Sequence, residues 1–150
     1  MKTALSSRRR SAGFTLVEVM IATSISGVLA SVAYPSFSGT LQKVRRSEAL
    51  VAAMQIQAAQ ERWRSNSSRY GTLVEVGVAS VATGRNYLLS VASPSATGYV
   101  ALAQATGFQA GDRMCRYMKL SVDGANTVYS SGETEAATNN AQGNRQCWNL

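Results

Sequence analysis

Few groups in this sequence could do chemistry. The 150 residues include no histidine, which excludes Ser-His-Asp and Cys-His nucleophile pairs, most zinc sites and the usual proton shuttle. No phosphate-cradling Gly-rich loop or dinucleotide fingerprint occurs. The acids after Glu18 (48, 61, 75, 112, 123, 133 and 135) have no spacing that would make a catalytic pair or a calcium loop, and Asp123-Gly124-Ala125-Asn126 reads as a turn. No catalytic residue, metal ligand or cofactor is expected. Two groups remain: the isolated carboxylate Glu18, and a set of cations around the two cysteines.

Glu18 is the only charge in an apolar run of some twenty residues within residues 11–37, directly after Arg8, Arg9 and Arg10 and a Gly13-Phe14 junction. A carboxylate in hydrocarbon costs roughly 2.5–3.5 kcal/mol on insertion scales, so it calls for a partner or a task. Three kinds of segment share this outline. One is a secretory signal cut after Ala33, and another is a permanent anchor with its arginines inside. The third is a segment cut between Gly13 and Phe14, leaving a hydrophobic helix with a new terminal amine. Neither of the first two has a use for the acid. A helix beginning at Phe14 puts Glu18 one turn in, near the positive end of the helix dipole. There it can meet the Phe14 amine of a neighbouring copy, two costly charges becoming tolerable as a pair.

Arg113, Arg116, Lys119 and Arg145 lie near Cys115 and Cys147, so a disulfide would gather them on one side of a domain. With Arg85 and exposed tyrosines they could contact DNA phosphates, which supply most nucleic-acid affinity; the alternative is ordinary solvated charge. The net charge of +7 is partly a targeting feature. Four cations precede Phe14, and without them eleven face eight acids, a balance of +3. An export-like N-terminus and two cysteines without a C-x-x-C make one disulfide in an oxidising compartment the simplest arrangement, against two separate thiols in a cytosolic chain. The bridge would close a loop of about thirty residues, worth roughly 3–4 kcal/mol.

These groups need elements to position them. From Phe14 a helical pattern runs to about Arg64, roughly 75 Å at 1.5 Å per residue. Its first half is apolar all round. Its second half carries a stripe of Leu41, Ala49, Ala52, Ile56, Ala59 and Trp63, interrupted by Arg45, with most charges (Lys43, Arg46, Glu48, Glu61, Arg62, Arg64) off it. A protruding half and a domain-packed half are expected. Pro35 removes a helix hydrogen bond, predicting either a kink or a segment that unwinds on packing. Residues 65–85 have loop composition, and Asn66-Ser67-Ser68 is a glycosylation sequon too short to carry weight. Alternating runs at 86–92, 98–104, 117–122 and 127–130, the last two joined by an Asp123-Gly124 turn, predict an antiparallel meander. The fold class is α+β, the helix covering the sheet. The polar tail, residues 132–150, needs Cys147 to hold it, with Trp148 as a packing residue.

Gly13-Phe14-Thr15-Leu16-Val17-Glu18, the apolar run and Tyr34-Pro35 resemble the class III signal and N-terminal helix of type IV pilins and pseudopilins. More loosely, Gln109, Asp112, Cys115, Asp123-Gly124 and Cys147-Trp148 resemble the C-terminal half of small minor pilins, some of which are DNA receptors for uptake. The resemblance implies a type IV pilin fold: a long helix, its hydrophobic half protruding, packed on a four-stranded antiparallel sheet with a disulfide-closed C-terminal region. It divides the chain into a leader (1–13), a transmembrane and filament-core half-helix (14–42) and a periplasmic or extracellular domain (43–150). A prepilin peptidase would cut between Gly13 and Phe14 and methylate Phe14, and Glu18 and Pro35 would serve assembly. Implied partners are other pilin subunits, the peptidase, the inner membrane before assembly, and DNA. The expected function is a structural minor pilin, at the inner membrane first and then in a surface filament. The alternatives are a DNA-binding minor pilin and a type II secretion pseudopilin, the latter disfavoured by the missing calcium loop and the cysteine tie.

Overall fold

The computed structural model describes residues 13–150, apart from the side chains of residues 35 and 36. Residues 1–12, including Arg8, Arg9 and Arg10, and the side chain of Pro35 lie outside the described residues. The chain divides into two compact units, Met1–Ser38 and Gly39–Leu150, each taken by itself.

Helix α1 runs Leu16–Arg64, two residues later than the Phe14 start expected from the sequence, because Thr15 caps it. Its backbone remains helical at Gly27, Pro35 and Gly39. In the first unit every described side chain before residue 35 is exposed. The hydroxyls there are satisfied within the helix: Thr23 donates to Val19 O and Met20 O at 3.0 Å, Ser24 to Met20 O and Ser26 to Ala22 O at 2.8 Å, and Ser31 to Val28 O at 2.7 Å. By length and composition this helix is apolar enough to cross a membrane.

In the second unit, strands β1 (Tyr87–Ala92), β2 (Gly98–Ala105), β3 (Tyr117–Asp123) and β4 (Asn126–Gly132) form one antiparallel sheet in chain order. Period-2 alternation sends Tyr87 and Leu89, Tyr99, Ala101, Ala103 and Ala105, and Met118, Leu120 and Val122 inward. There they share one core with Ala49, Ala52, Ala53 and Ile56 of α1. Alanines on both helix and strand are small enough for the two layers to approach closely. The expected stripe is confirmed at Ala49, Ala52, Ile56 and Ala59, all buried, while Leu41 and Trp63 are half-buried at its ends.

β4 runs one residue earlier and two later than its pattern, since pairing of Tyr117 with Gly132 carries weak strand formers into the ladder. Both sheet edges are covered in part. Ala82 N–H donates to Tyr87 O at 2.9 Å and Leu89 N–H to Ser80 O at 2.7 Å beside β1. Beside β4, Ser131 N–H donates to Thr138 O at 3.4 Å and Trp148 Nε1–H to Ser130 O at 3.1 Å. The core, the sheet and the disulfide all lie within residues 49–148, so Gly39–Leu150 is self-sufficient in packing.

Residues 65–85 are better ordered than their composition suggests. The Gln60 amide, fully buried in α1, accepts from Gly71 N–H at 2.9 Å and donates to Gly71 O at 2.6 Å. Glu75 closes a helical turn by accepting from Thr72 N–H at 2.7 Å and Thr72 Oγ1–H at 2.9 Å, and pairs with Arg69 at 2.6 Å. The Arg69 hydrogen bond foremost, with the Thr72 donors, holds its carboxyl down at about 2.

Candidate functional site

The first site is the start of α1. Glu18 N–H donates to Thr15 Oγ1 at 3.2 Å, and Thr15 N–H donates to a Glu18 carboxylate oxygen at 3.4 Å. This is a reciprocal capping box: it satisfies two of the donors that a helix start leaves orphaned and keeps the acid where the helix dipole favours negative charge. Phe14 is 84% exposed, and the apolar side chains that follow share that exposure. A single copy therefore presents an apolar helix whose first turn carries a fixed, exposed carboxylate. Gly13 and Phe14 precede that turn in non-helical backbone.

The second site is the C-terminal region of the folded unit. The Cys115–Cys147 disulfide is formed, with Cα atoms 5.5 Å apart. It joins the 3-10 turn Arg113–Cys115 to a π-helical turn, Asn144–Trp148, which continues a short helical turn, Ala141–Gly143. Asn140 caps that turn by accepting from Gly143 N–H at 2.7 Å. Trp148 is buried, its ring 5.0 Å from that of Tyr129, so it packs the core as expected. The disulfide has help that the sequence did not reveal. Arg46 of α1 grips Asp112 through two bonds, Nε–Oδ2 at 2.7 Å and Nη2–Oδ1 at 3.0 Å, and its Nη1 donates to Gln146 O at 2.9 Å. Gln109 Nε2 donates to Asp112 Oδ2 and Tyr87 OH at 3.1 Å and to Gln42 O at 3.2 Å. Burial pushes the Tyr87 phenol up to about 12, so it remains neutral in this cluster.

Two charges expected off the stripe thus turn inward: Arg46, and Glu48, which accepts from Asn86 Nδ2 at 2.8 Å. They flank the stripe at helical spacing, and partners distant in sequence draw them in. Arg45, the interruption, lies 5.3 Å from the Phe108 ring centroid.

Of the four cations expected beside the disulfide, Arg113 and Arg116 meet at one carboxylate, and Lys119 and Arg145 are engaged elsewhere or not at all among the described residues. Arg113 donates to both Glu133 oxygens, at 2.9 and 3.1 Å. Arg116 donates to Ala110 O at 2.7 Å and stands 3.8 Å from the same carboxylate. The Arg113 hydrogen bond above all holds the Glu133 carboxyl below the usual carboxylate range. Lys119 Nζ donates to Glu135 O at 3.4 Å. Arg145 is exposed on the π turn and makes no ion pair among the described residues. Arg85 sits at a left-handed turn, φ 61°, before β1.

Residues 35–119 match the family described as type IV minor pilin ComP, DNA uptake sequence receptor, and residues 8–34 match the prokaryotic N-terminal methylation motif. Among curated proteins, type II secretion system core protein G of Pectobacterium carotovorum subsp. carotovorum is 30% identical over 91 residues, 61% of this chain and 58% of that protein. Core protein G of Aeromonas hydrophila is 34% identical over 65 residues, 43% of this chain and 46% of that protein. Type IV major pilin protein PilA of Myxococcus xanthus (strain DK1622) is 37% identical over 71 residues, 47% and 32%. The chain spans between a third and three fifths of the length of these relatives.

Proposed function

The chain belongs to the type IV minor pilin family of ComP, and from that premise we propose that it is a minor subunit of a type IV pilus. In this reading a prepilin peptidase cuts between Gly13 and Phe14 and methylates Phe14. The segment 14–42 holds the subunit in the inner membrane before assembly and in the filament core afterwards, and residues 43–150 face outward. The observation that carries it is the start of α1: an exposed apolar helix whose first turn holds Glu18 ready for a cation, within a match to the methylation motif. The neighbour's Phe14 amine supplies that cation, and Pro35 gives the helix a weak point for adjustment on packing.

Sequencing the mature N-terminus tests the processing step, with N-methylated Phe14 expected as residue one; Tyr34 there would sink the proposal. Glu18→Val is expected to leave membrane insertion intact and to cut incorporation into sheared pili at least tenfold. Incorporation at the parental level would remove the pairing.

Two readings of the same architecture have their own support. Likeness to core protein G favours a type II secretion pseudopilin, and a deletion strain that keeps twitching but loses secretion would establish it. The family description favours a DNA receptor, with Arg145 the least engaged of Arg113, Arg116, Lys119 and Arg145. An electrophoretic shift at low salt that weakens as salt rises supports this, with Arg145→Ala costing more than Arg113→Ala. No shift at low salt removes it.

A further inference from the structure

The part of α1 that opens the folded unit concentrates cations. Lys43, Arg45 and Arg46 follow directly on the apolar segment 14–42. Arg46 is committed to Asp112 and Gln146 O, whereas Lys43 and Arg45 make no ion pair among the described residues. Lys43 is exposed and borders Gln146 and Asn149. Arg45 lies elsewhere on the helix, 5.3 Å from the centre of the Phe108 ring, so charge flanks α1 on two sides. Two apolar side chains stand among these cations in the open, Val44 at 63% and Phe108 at 50% exposure.

A further cation joins them from another part of the chain. Thr106, two residues before Phe108, donates its hydroxyl to Arg85 O at 3.2 Å and its N–H to Asn86 O at 2.9 Å. These bonds tie the turn carrying Arg85 to the turn carrying Phe108. Arg85 is exposed, makes no ion pair among the described residues, and has left-handed backbone at φ 61°. Glycine or asparagine takes that backbone more readily, so an arginine held there points to a task for its side chain. The acids on this stretch are already engaged: Asp112 by Arg46, and Glu48 by Asn86 Nδ2 at 2.8 and 3.0 Å.

Cations without partners beside exposed apolar groups suit a lipid–water boundary, where rings and aliphatic side chains enter the headgroup layer and cations meet its phosphates. The place of this surface in the chain supplies the occupant. Arg45 is three residues past segment 14–42, and three residues span at most about 11 Å. It therefore stays at the surface of any bilayer which that segment enters. We propose that Lys43, Arg45, Arg85 and Phe108 dock the folded unit on anionic phospholipid headgroups before assembly. The docking rests on the reading that segment 14–42 lies in the membrane.

The full chain, with 4-fluorophenylalanine at Phe14, Phe37 and Phe108, is placed in nanodiscs of phosphatidylcholine alone or mixed with phosphatidylglycerol. Broadening of the Phe37 19F line by acyl-chain spin-labelled lipid reports membrane residence. Broadening of the Phe108 line by headgroup-labelled lipid reports docking. Each cation near an anionic surface favours association about fivefold, so Phe108 broadening is expected to be at least about threefold stronger in the anionic discs and to fall as salt rises. Arg85→Asn suits the left-handed backbone and removes the charge. It should lower the ratio of docked to undocked protein about fivefold, as should Lys43→Gln, with Phe37 unmoved in both. Three results overturn the docking alone: equal Phe108 broadening in the two kinds of disc, equal broadening in the parent and the double variant, or a Phe108 shift on adding duplex DNA without headgroup broadening. Absence of Phe37 broadening removes the membrane reading itself, and the docking with it.

Discussion

Replacing Asp112 with asparagine probes what holds α1 to the C-terminal region. The change is nearly isosteric, yet it removes the charge that receives both Arg46 bonds, at 2.7 and 3.0 Å, and it alters the acceptor for Gln109. Breaking a buried pair by deleting one partner costs about 3–5 kcal/mol, chiefly because the other charge is left uncompensated. Arg46 retains 18% exposure against 4% for Asp112, so water reaches the orphaned guanidinium and the expectation drops to about 2–4 kcal/mol. For a unit of this size that is a fall in Tm of roughly 8–16 °C. Urea denaturation of residues 39–150, oxidised and followed by tryptophan fluorescence, measures it. The double replacement Arg46→Met with Asp112→Leu removes both charges and should return to within about 1.5 kcal/mol of the parent. A loss under about 1 kcal/mol in Asp112→Asn, or a double variant as unstable as the single one, would refute the view that an uncompensated charge sets the cost.

The disulfide should contribute on a similar scale. Cys115 and Cys147 are 32 residues apart, and replacing both with serine is expected to cost roughly 3–4 kcal/mol in the same denaturation experiment, with added reductant then having no further effect. Acid should loosen the turn at residues 72–76. Glu75 titrates at about 2 in the fold against 4.5 unperturbed, so its contribution is complete above pH 4.5 and is lost as pH falls toward 2. Glu75→Gln should flatten that part of the stability-versus-pH curve by lowering stability at neutral pH and leaving it nearly unchanged near pH 2, as read by thermal melts from neutral pH into the acid range.

The sheet and the buried stripe of α1 were legible because each is a local periodicity. Tyr87, Leu89 and Val91, and Met118, Leu120 and Val122, alternate at two, and Ala49, Ala52, Ile56 and Ala59 recur at three and four. What was not legible depends on partners far apart in sequence. Arg46 and Asp112 are 66 residues apart, and Glu48 and Asn86 are 38 apart, so nothing in the helix pattern distinguishes these charges from solvated ones. Arg113 and Arg116 meet at Glu133, which lies in a polar tail whose composition gives no sign that its carboxylate faces Arg113. The capping box is a different case. Thr15-Leu16-Val17-Glu18 has the S/T-x-x-E spacing that signals a helix start, so this cap is local and legible from four consecutive residues.

That capping box changes what Glu18 requires of its surroundings. A bare carboxylate in an apolar helix is costly enough to demand a partner at once, which would tie membrane residence to assembly. With Thr15 N–H donating to it and the helix dipole beside it, the acid is partly compensated within its own chain, and one copy can hold it alone. The compensation is incomplete, because the group is exposed and the contact from Thr15 N–H is long, at 3.4 Å. A cation from a second copy therefore still improves matters, and the difference between the two states is available to favour packing. The folded unit has no part in that exchange. Its core, the Arg46–Asp112 pair and the disulfide lie within residues 46–148, so a variant such as Asp112→Asn can weaken the domain without touching Glu18. On these grounds assembly defects arising at Glu18 and those arising at Asp112 should separate cleanly: the first with normal domain stability, the second with a normal mature N-terminus.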